Sequence, residues 1–231
     1  MALNRVLITW VSVALIAGCA AIKQANTVRQ SGFLGRETYA LLQPGQSGQA
    51  VLGYVNADVD FAKYDKIILE PVTIWGDPET PEVGPEDRAM LAEITYTAFY
   101  QALAKDYKIV REPGPTTMVV AVALTKAEAS DAVLNSASSI TPHGQLLRGA
   151  ASFITEKPAF VGEAEGEAKV TDSMTGDLVA AGIDRHFGSQ APRLTMNSWD
   201  DVVAIIKYWS EWSRFRFCQE RGDNDCVAPK S

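Results

Sequence analysis

Residues 162–171 read Gly162-Glu163-Ala164-Glu165-Gly166-Glu167-Ala168-Lys169-Val170-Thr171. Alternation with period two sends successive side chains to opposite faces of a strand. The small residues form one face and predict a strand lying close beneath something bulky, a helix. The glutamates form the other face, read as solvated, with Lys169 easing their repulsion. The next six residues, Asp172-Ser173-Met174-Thr175-Gly176-Asp177, are rich in turn formers, and Gly176 is available for φ > 0. Residues 178–187 then supply a return strand. A hairpin with one face kept for helices points to layered α+β architecture.

Working outward, residues 50–56 and 66–75 read as strands, the second carrying Pro71, which implies a bulge or an edge position. Pro85-Glu86-Asp87 opens a helix of about twenty residues, with acids at its positive end. Leu91, Ile94, Ala98 and Ala102 form its apolar stripe, flanked by Phe99 and Leu103. Strands follow at 107–111 and 116–125. Ser198-Trp199-Asp200-Asp201 reads as a capping box for a last helix whose buried stripe is Val202, Ile205, Ile206, Trp209 and Trp212. The order β-β-α-β-β-loop-β-β-α predicts a two-layer α+β sandwich over residues 32–217. Its sheet is mostly antiparallel, with about five or six strands, and two long helices cover one face.

The N-terminus decides where the chain goes. Arg5 and the α-amino group precede an apolar run at 6–16, eleven residues where a membrane span needs about 20, so the run is a signal-peptide core. Ile16-Ala17-Gly18-Cys19 follows and looks like a bacterial lipobox: small residues precede a cysteine that takes the lipid. Removal of residues 1–18 makes Cys19 the acylated N-terminus. Two or more acyl chains anchor stably where one binds only marginally. Ala20, not an aspartate, stands next, which by resemblance to sorted Gram-negative lipoproteins favours the outer membrane. Residues 19–31 lack periodicity and read as a lipidated tether.

The chain of 231 residues is 47% hydrophobic, with 28 acidic against 21 basic side chains and a net charge of −7. That composition is globular and argues against nucleic acid as a partner. Cys218 and Cys226 remain after Cys19 is lipidated. In an oxidising compartment, with Gly222, Asp223, Asn224 and Asp225 between them, they are expected to pair and staple the 218–231 tail. His143 and His186 are the two histidines. Neither a nucleophile elbow nor HExxH, a P-loop or GxGxxG is present, so no catalytic residue, metal site or cofactor is assigned. Glu163, Glu165 and Glu167, and the acids of the 172–177 turn, are weighed as calcium ligands and read instead as a wet face and a plain turn.

Several of these stretches together resemble a family of bacterial lipoproteins known as domain of unknown function 3313. They are Ser31-Gly32-Phe33-Leu34, Tyr54-Val55-Asn56, the stretch from Tyr64 to Trp75 containing Glu70-Pro71-Val72, Glu112-Pro113-Gly114, the 172–177 turn and Asp184-Arg185. The resemblance implies a lipid-anchored periplasmic domain and supplies no activity. The reading is a non-enzymatic binding or scaffolding module on the periplasmic face of the outer membrane, held by lipid on Cys19. The alternatives are an envelope hydrolase with an unusual site and an assembly helper for an outer-membrane complex. An envelope protein partner is expected on the weakly charged stretch 127–158. Leu134, Ile140, Leu146, Leu147, Phe153 and Ile154 provide apolar material there beyond what a loop needs.

Overall fold

The computed structural model describes residues 22–76, 83–130, 161–189 and 198–229. Among them, nine strands form one mixed sheet. The strands are β1 (Lys23–Gln24), β2 (Gln43–Pro44), β3 (Leu52–Val55), β4 (Lys66–Leu69), β5 (Thr73–Ile74), β6 (Lys108–Ile109), β7 (Thr117–Glu128), β8 (Glu163–Asp172) and β9 (Leu178–Phe187). The path is β2-β3-β9-β8-β7-β4-β6, with β1 joined to β9 and β5 to β7. The α+β class and the antiparallel majority follow the expectation, but the strand count does not. β1, β2, β5 and β6 are two residues each, too short for alternation to register in sequence. The strand read at 66–75 is two pieces, because Pro71 has no N–H to give the ladder.

Helix α1 is short (Arg36–Leu41); α2 (Pro85–Leu103) and α3 (Asp200–Glu220) are long. The crossover through α2 runs β4 parallel to β7, since parallel neighbours need a long connection. α2 buries Leu91, Thr95, Phe99, Ala102 and Leu103, a face rotated slightly from the predicted stripe, with the Thr95 hydroxyl donating to the Leu91 carbonyl at 2.7 Å. α3 buries Val202, Ile205 and Ile206 as read, while Trp209 and Trp212 are half-buried. Lys105–Glu211 (2.6 Å) and Arg214–Asp106 (2.7 Å) tie the two helices together.

The capping box is not formed. The N-cap is Trp199 and no side chain caps the helix. Asp201 is spent elsewhere: its carboxylate is buried and accepts the Gly162 N–H at 2.6 Å. A β-carbon on Gly188 would lie 1.9 Å from that carboxyl carbon, and one on Gly162 2.7 Å from the Asp201 β-carbon. Two glycines therefore let α3 start directly against the sheet. Cys218 and Cys226 form the expected disulfide, with Cα atoms 5.7 Å apart. Cys218 lies inside α3, which continues to Glu220, so the staple closes on the helix itself.

Two expectations about the other sheet face are overturned. The glutamate face is not wet: Glu163, Glu165 and Glu167 are 1%, 3% and 1% exposed. Nor are residues 22–31 a loose tether. Lys23 and Gln24 pair with Phe187 and His186, Ala25 donates its N–H to the Arg185 carbonyl, and Ala25 packs with Val161 and Phe187. The chain then runs across the glutamates, and Leu34 and Leu42 pack on Ala181 and Ile183. The sheet is thus covered on both sides, by two helices and by the N-terminal segment.

Candidate functional site

The glutamate row is the frame on which that segment is mounted. A register shift between Leu124 and Lys126 brings Lys126 onto the glutamate face beside Thr125, whose hydroxyl lies 3.5 Å from Glu165. Lys126 reaches Glu163 at 3.1 Å and Arg185 reaches it at 2.7 Å. Burial opposes ionisation of Glu163, but these two cations outweigh it and hold the carboxyl below its usual range. Burial dominates at Glu165, where Arg185 is 3.9 Å away, and pushes that carboxyl up.

Glu167 accepts the Ser31 N–H at 2.8 Å, the Tyr39 hydroxyl at 2.7 Å and the Leu34 N–H at 3.3 Å. The Ser31-Gly32-Phe33-Leu34 stretch is therefore a loop wrapped on one buried carboxylate. Gly32 takes φ 102°, a conformation that suits glycine, and Trp75 closes the loop by donating to the Ser31 carbonyl at 3.1 Å.

On the opposite face, Asp184 joins three elements. It accepts from the Gln24 amide at 2.7 Å, the Val51 N–H at 3.3 Å and the Trp209 indole N–H at 3.0 Å. The same indole N–H reaches His186 Nδ1 at 3.2 Å, and Asp184 lies 3.3 Å from that nitrogen. His186 is buried against Tyr208 and Trp209. The pair lines a small pocket of about 150 Å³ with Ile22, Gln24, Gln49, Tyr208 and Trp212. The described residues lining it include no serine, threonine or cysteine to serve as nucleophile.

Gln49, Asp184 and Trp212 also line a larger cavity of about 430 Å³. It lies between the second half of α3 and strands β3, β8 and β9, with Phe99 of α2 at its side. Its floor is the small-residue face, which thus has two uses. At Gly166 the helix sits close, as the sequence predicts: an added β-carbon would meet the Trp209 ring at 3.2 Å. At Gly182 and Gly53, paired in register, an added β-carbon would meet only strand neighbours and no α3 atom. The helix spans that patch without filling it. Sequence alternation marks the small face but cannot say where the helix stops touching it.

The Asp172 carboxylate is saturated by the protein. Burial opposes its ionisation, yet Lys63 Nζ at 3.0 Å, the Met174 N–H at 2.8 Å, the Tyr64 hydroxyl at 2.9 Å and the Thr175 N–H at 3.2 Å hold its carboxyl far below the usual range. Among the described residues, no group of three or more His, Cys, Asp or Glu converges on a point that would suit a metal ion. No described helix is long and apolar enough to cross a membrane. Cys19, His143 and the six apolar side chains Leu134, Ile140, Leu146, Leu147, Phe153 and Ile154 lie outside the described residues.

An α+β fold with both sheet faces covered and an apolar cavity under one helix is the class that the geometry of the described residues defines. The chain belongs to the DUF3313 family of proteins of unknown function, which it matches over residues 29–212. It is 28% identical over 116 residues to the uncharacterized lipoprotein YdcL of Escherichia coli strain K12, and equally to that of strain O157:H7. Each match covers 50% of this chain, and the chain spans about half the length of these curated relatives, 52%. Among solved structures it is similar to a PelC dodecamer subunit from Paraburkholderia phytofirmans, with 12% identity and a TM-score of 0.38, covering 69% of this chain and 95% of that one. A DUF330 protein from Xanthomonas campestris gives 11%, 0.37, 73% and 93% for the same quantities.

Proposed function

We propose that this protein is a lipid-anchored module of the cell envelope, held at the periplasmic face of the outer membrane by lipid on Cys19, which works by binding or scaffolding and not by catalysis. The observation that carries this reading is the position of β1. Lys23 is already a sheet residue, so three peptide steps of about 3.5 Å confine Cys19 to within ~10 Å of Ile22. A lipid there holds the domain directly against the bilayer surface. The lipobox at 16–19 and the lipoprotein name of the two relatives support it.

The described body also gives the expected partner segment a direction. The chain leaves the body at Ser130 and returns at Val161, which packs with Ala25 and Phe187 beside β1. The first residues of the expected 127–158 segment, Ala127 and Glu128, are instead the end of β7, so the chain leaves the sheet at the end beside β1, which fits a partner at or in the membrane. The hydrolase alternative keeps one specific observation, the Asp184–His186 pair lining a pocket.

Mass spectrometry of the membrane-extracted protein tests the anchor, with a diacylglycerol thioether and an N-acyl chain expected on Cys19. A Cys19→Ala chain should stay unprocessed or leave the membrane fraction. An unmodified Cys19, or cleavage at another bond, overturns the anchor. Hydrogen exchange tests the partner segment: gain of protection within 127–158, beyond the end of β7 at Glu128, on adding envelope extract supports it. Protection equal to that of β7 in the isolated protein shows it to be core.

A further inference from the structure

We propose that the cavity beneath α3 is a binding site for a single acyl chain, a proposal that rests on the binding-module reading and gives it a ligand class. The volume of about 430 Å³ lies within the range of small-molecule sites. What matters more is that the walls are mostly apolar. The sheet contributes Ala168, Val170, Ala180 and Gly182, and the helices contribute Phe99 and Trp209. Three of the polar groups bordering this space already have protein partners; Gln43, Tyr54 and Ser213 also line it. Thr95 donates to Leu91, Asp184 accepts from Gln24, Val51 and Trp209, and Arg216 donates to Gln219 and Glu220.

Against the apolar walls, each amide or hydroxyl of a polar ligand left without a partner would cost about 1–3 kcal/mol. A methylene chain has no such groups, and each buried CH₂ contributes about 0.8 kcal/mol. The supply of such chains is also a matter of geometry. Gln49, Asp184 and Trp212 are shared with the smaller pocket that Ile22 lines. Ile22 is three residues from the cysteine that carries the membrane anchor. The cavity therefore shares a wall with the pocket nearest the proposed lipid anchor. Arg216, which also lines the cavity, stacks over Trp212 with 5.6 Å between guanidinium carbon and ring centre, next to Glu220.

The chain could come from a free membrane lipid or from the protein's own Cys19, and one experiment separates the two. Cells expressing the full protein are fed palmitate carrying a diazirine and irradiated, and adducts on the purified protein are mapped. Adducts are expected on the cavity walls, in the peptides containing 168–182 or 209–217. Gly182→Leu and Ala168→Leu should each reduce them at least ten-fold. Gly53→Val fills the same space from another strand and serves where either of the first two lowers Tm. An adduct that joins the Cys19 peptide assigns the chain to the anchor; one that persists in Cys19→Ala assigns it to a free lipid. No adduct on these peptides in the wild type, or undiminished adducts in a folded filled variant, overturns the proposal. The anchor reading fails separately, on the mass of Cys19.

Discussion

Ser31 donates its backbone N–H to Glu167 at 2.8 Å, across 136 residues of sequence. Glu167 is 1% exposed, and its buried carboxyl oxygens are satisfied by two backbone N–H groups and a tyrosine hydroxyl from the N-terminal segment. The segment needs Glu167 to seat its loop, and Glu167 needs the segment to be tolerated in the interior.

Glu167→Ala should therefore release residues 25–42 without unfolding the hairpin. Amide exchange at Ser31 and Leu34 is expected to rise at least ten-fold while β7 stays protected, with a loss of about 2–4 kcal/mol in chemical denaturation. Unchanged exchange at Ser31 would contradict this role.

Glu163 and Glu165 share a strand face and should respond oppositely. Glu163→Gln leaves Lys126 and Arg185 around a neutral amide and is expected to cost about 3 kcal/mol. The Glu165 carboxyl is raised, so its folded form favours the proton. The stability it contributes is present at low pH and is lost as pH rises through its folded value. Glu165→Gln is expected to be neutral or stabilising at pH 7, with the advantage shrinking as pH falls. Denaturation curves at pH 5 and pH 7 check both signs.

Gly188→Ala places a methyl group onto the Asp201 carboxylate and should be among the most damaging small substitutions, at about 3 kcal/mol or more. Gly176→Ala, at φ 77° in an open turn, should cost only about 1 kcal/mol. Melting temperatures of the two variants give the comparison.

Loss of the Cys218–Cys226 bridge opens a closed loop of nine residues and should cost about 2–3 kcal/mol. Arg221 stacks on Tyr107, which in turn packs against Phe217. A Cys218→Ser, Cys226→Ser double variant should accordingly loosen the last turn of α3, raising exchange at 217–222 while α2 stays protected. A drop in Tm of about 5 °C is expected. No change in exchange at 217–222 would show the helix end to be held by these aromatic contacts alone.

Local chemistry sufficed for the long elements. Alternation at 163–171, the turn ending in Gly176-Asp177, the apolar stripe of α3 and the cysteine spacing each depend on neighbours in the chain, and each is present in the fold. The family motifs were legible as strings, but their purpose was not: Ser31-Gly32-Phe33-Leu34 makes sense only around Glu167, and Asp184 only between Gln24, Val51 and Trp209.

By itself, the sequence determined the α+β class, the hairpin, the two long helices, the disulfide and the lipobox pattern. Only the tertiary structure decided that the glutamates are interior, that the supposed tether is a sheet-covering layer and that part of the small-residue face is a cavity. The reason is physical. Alternation divides a strand into two faces, but burial is a property of what lies above each face, and that cover arrives from more than a hundred residues away. A glutamate facing water and one facing buried N–H donors are spelled identically, and the difference is made by the segment that returns to meet it.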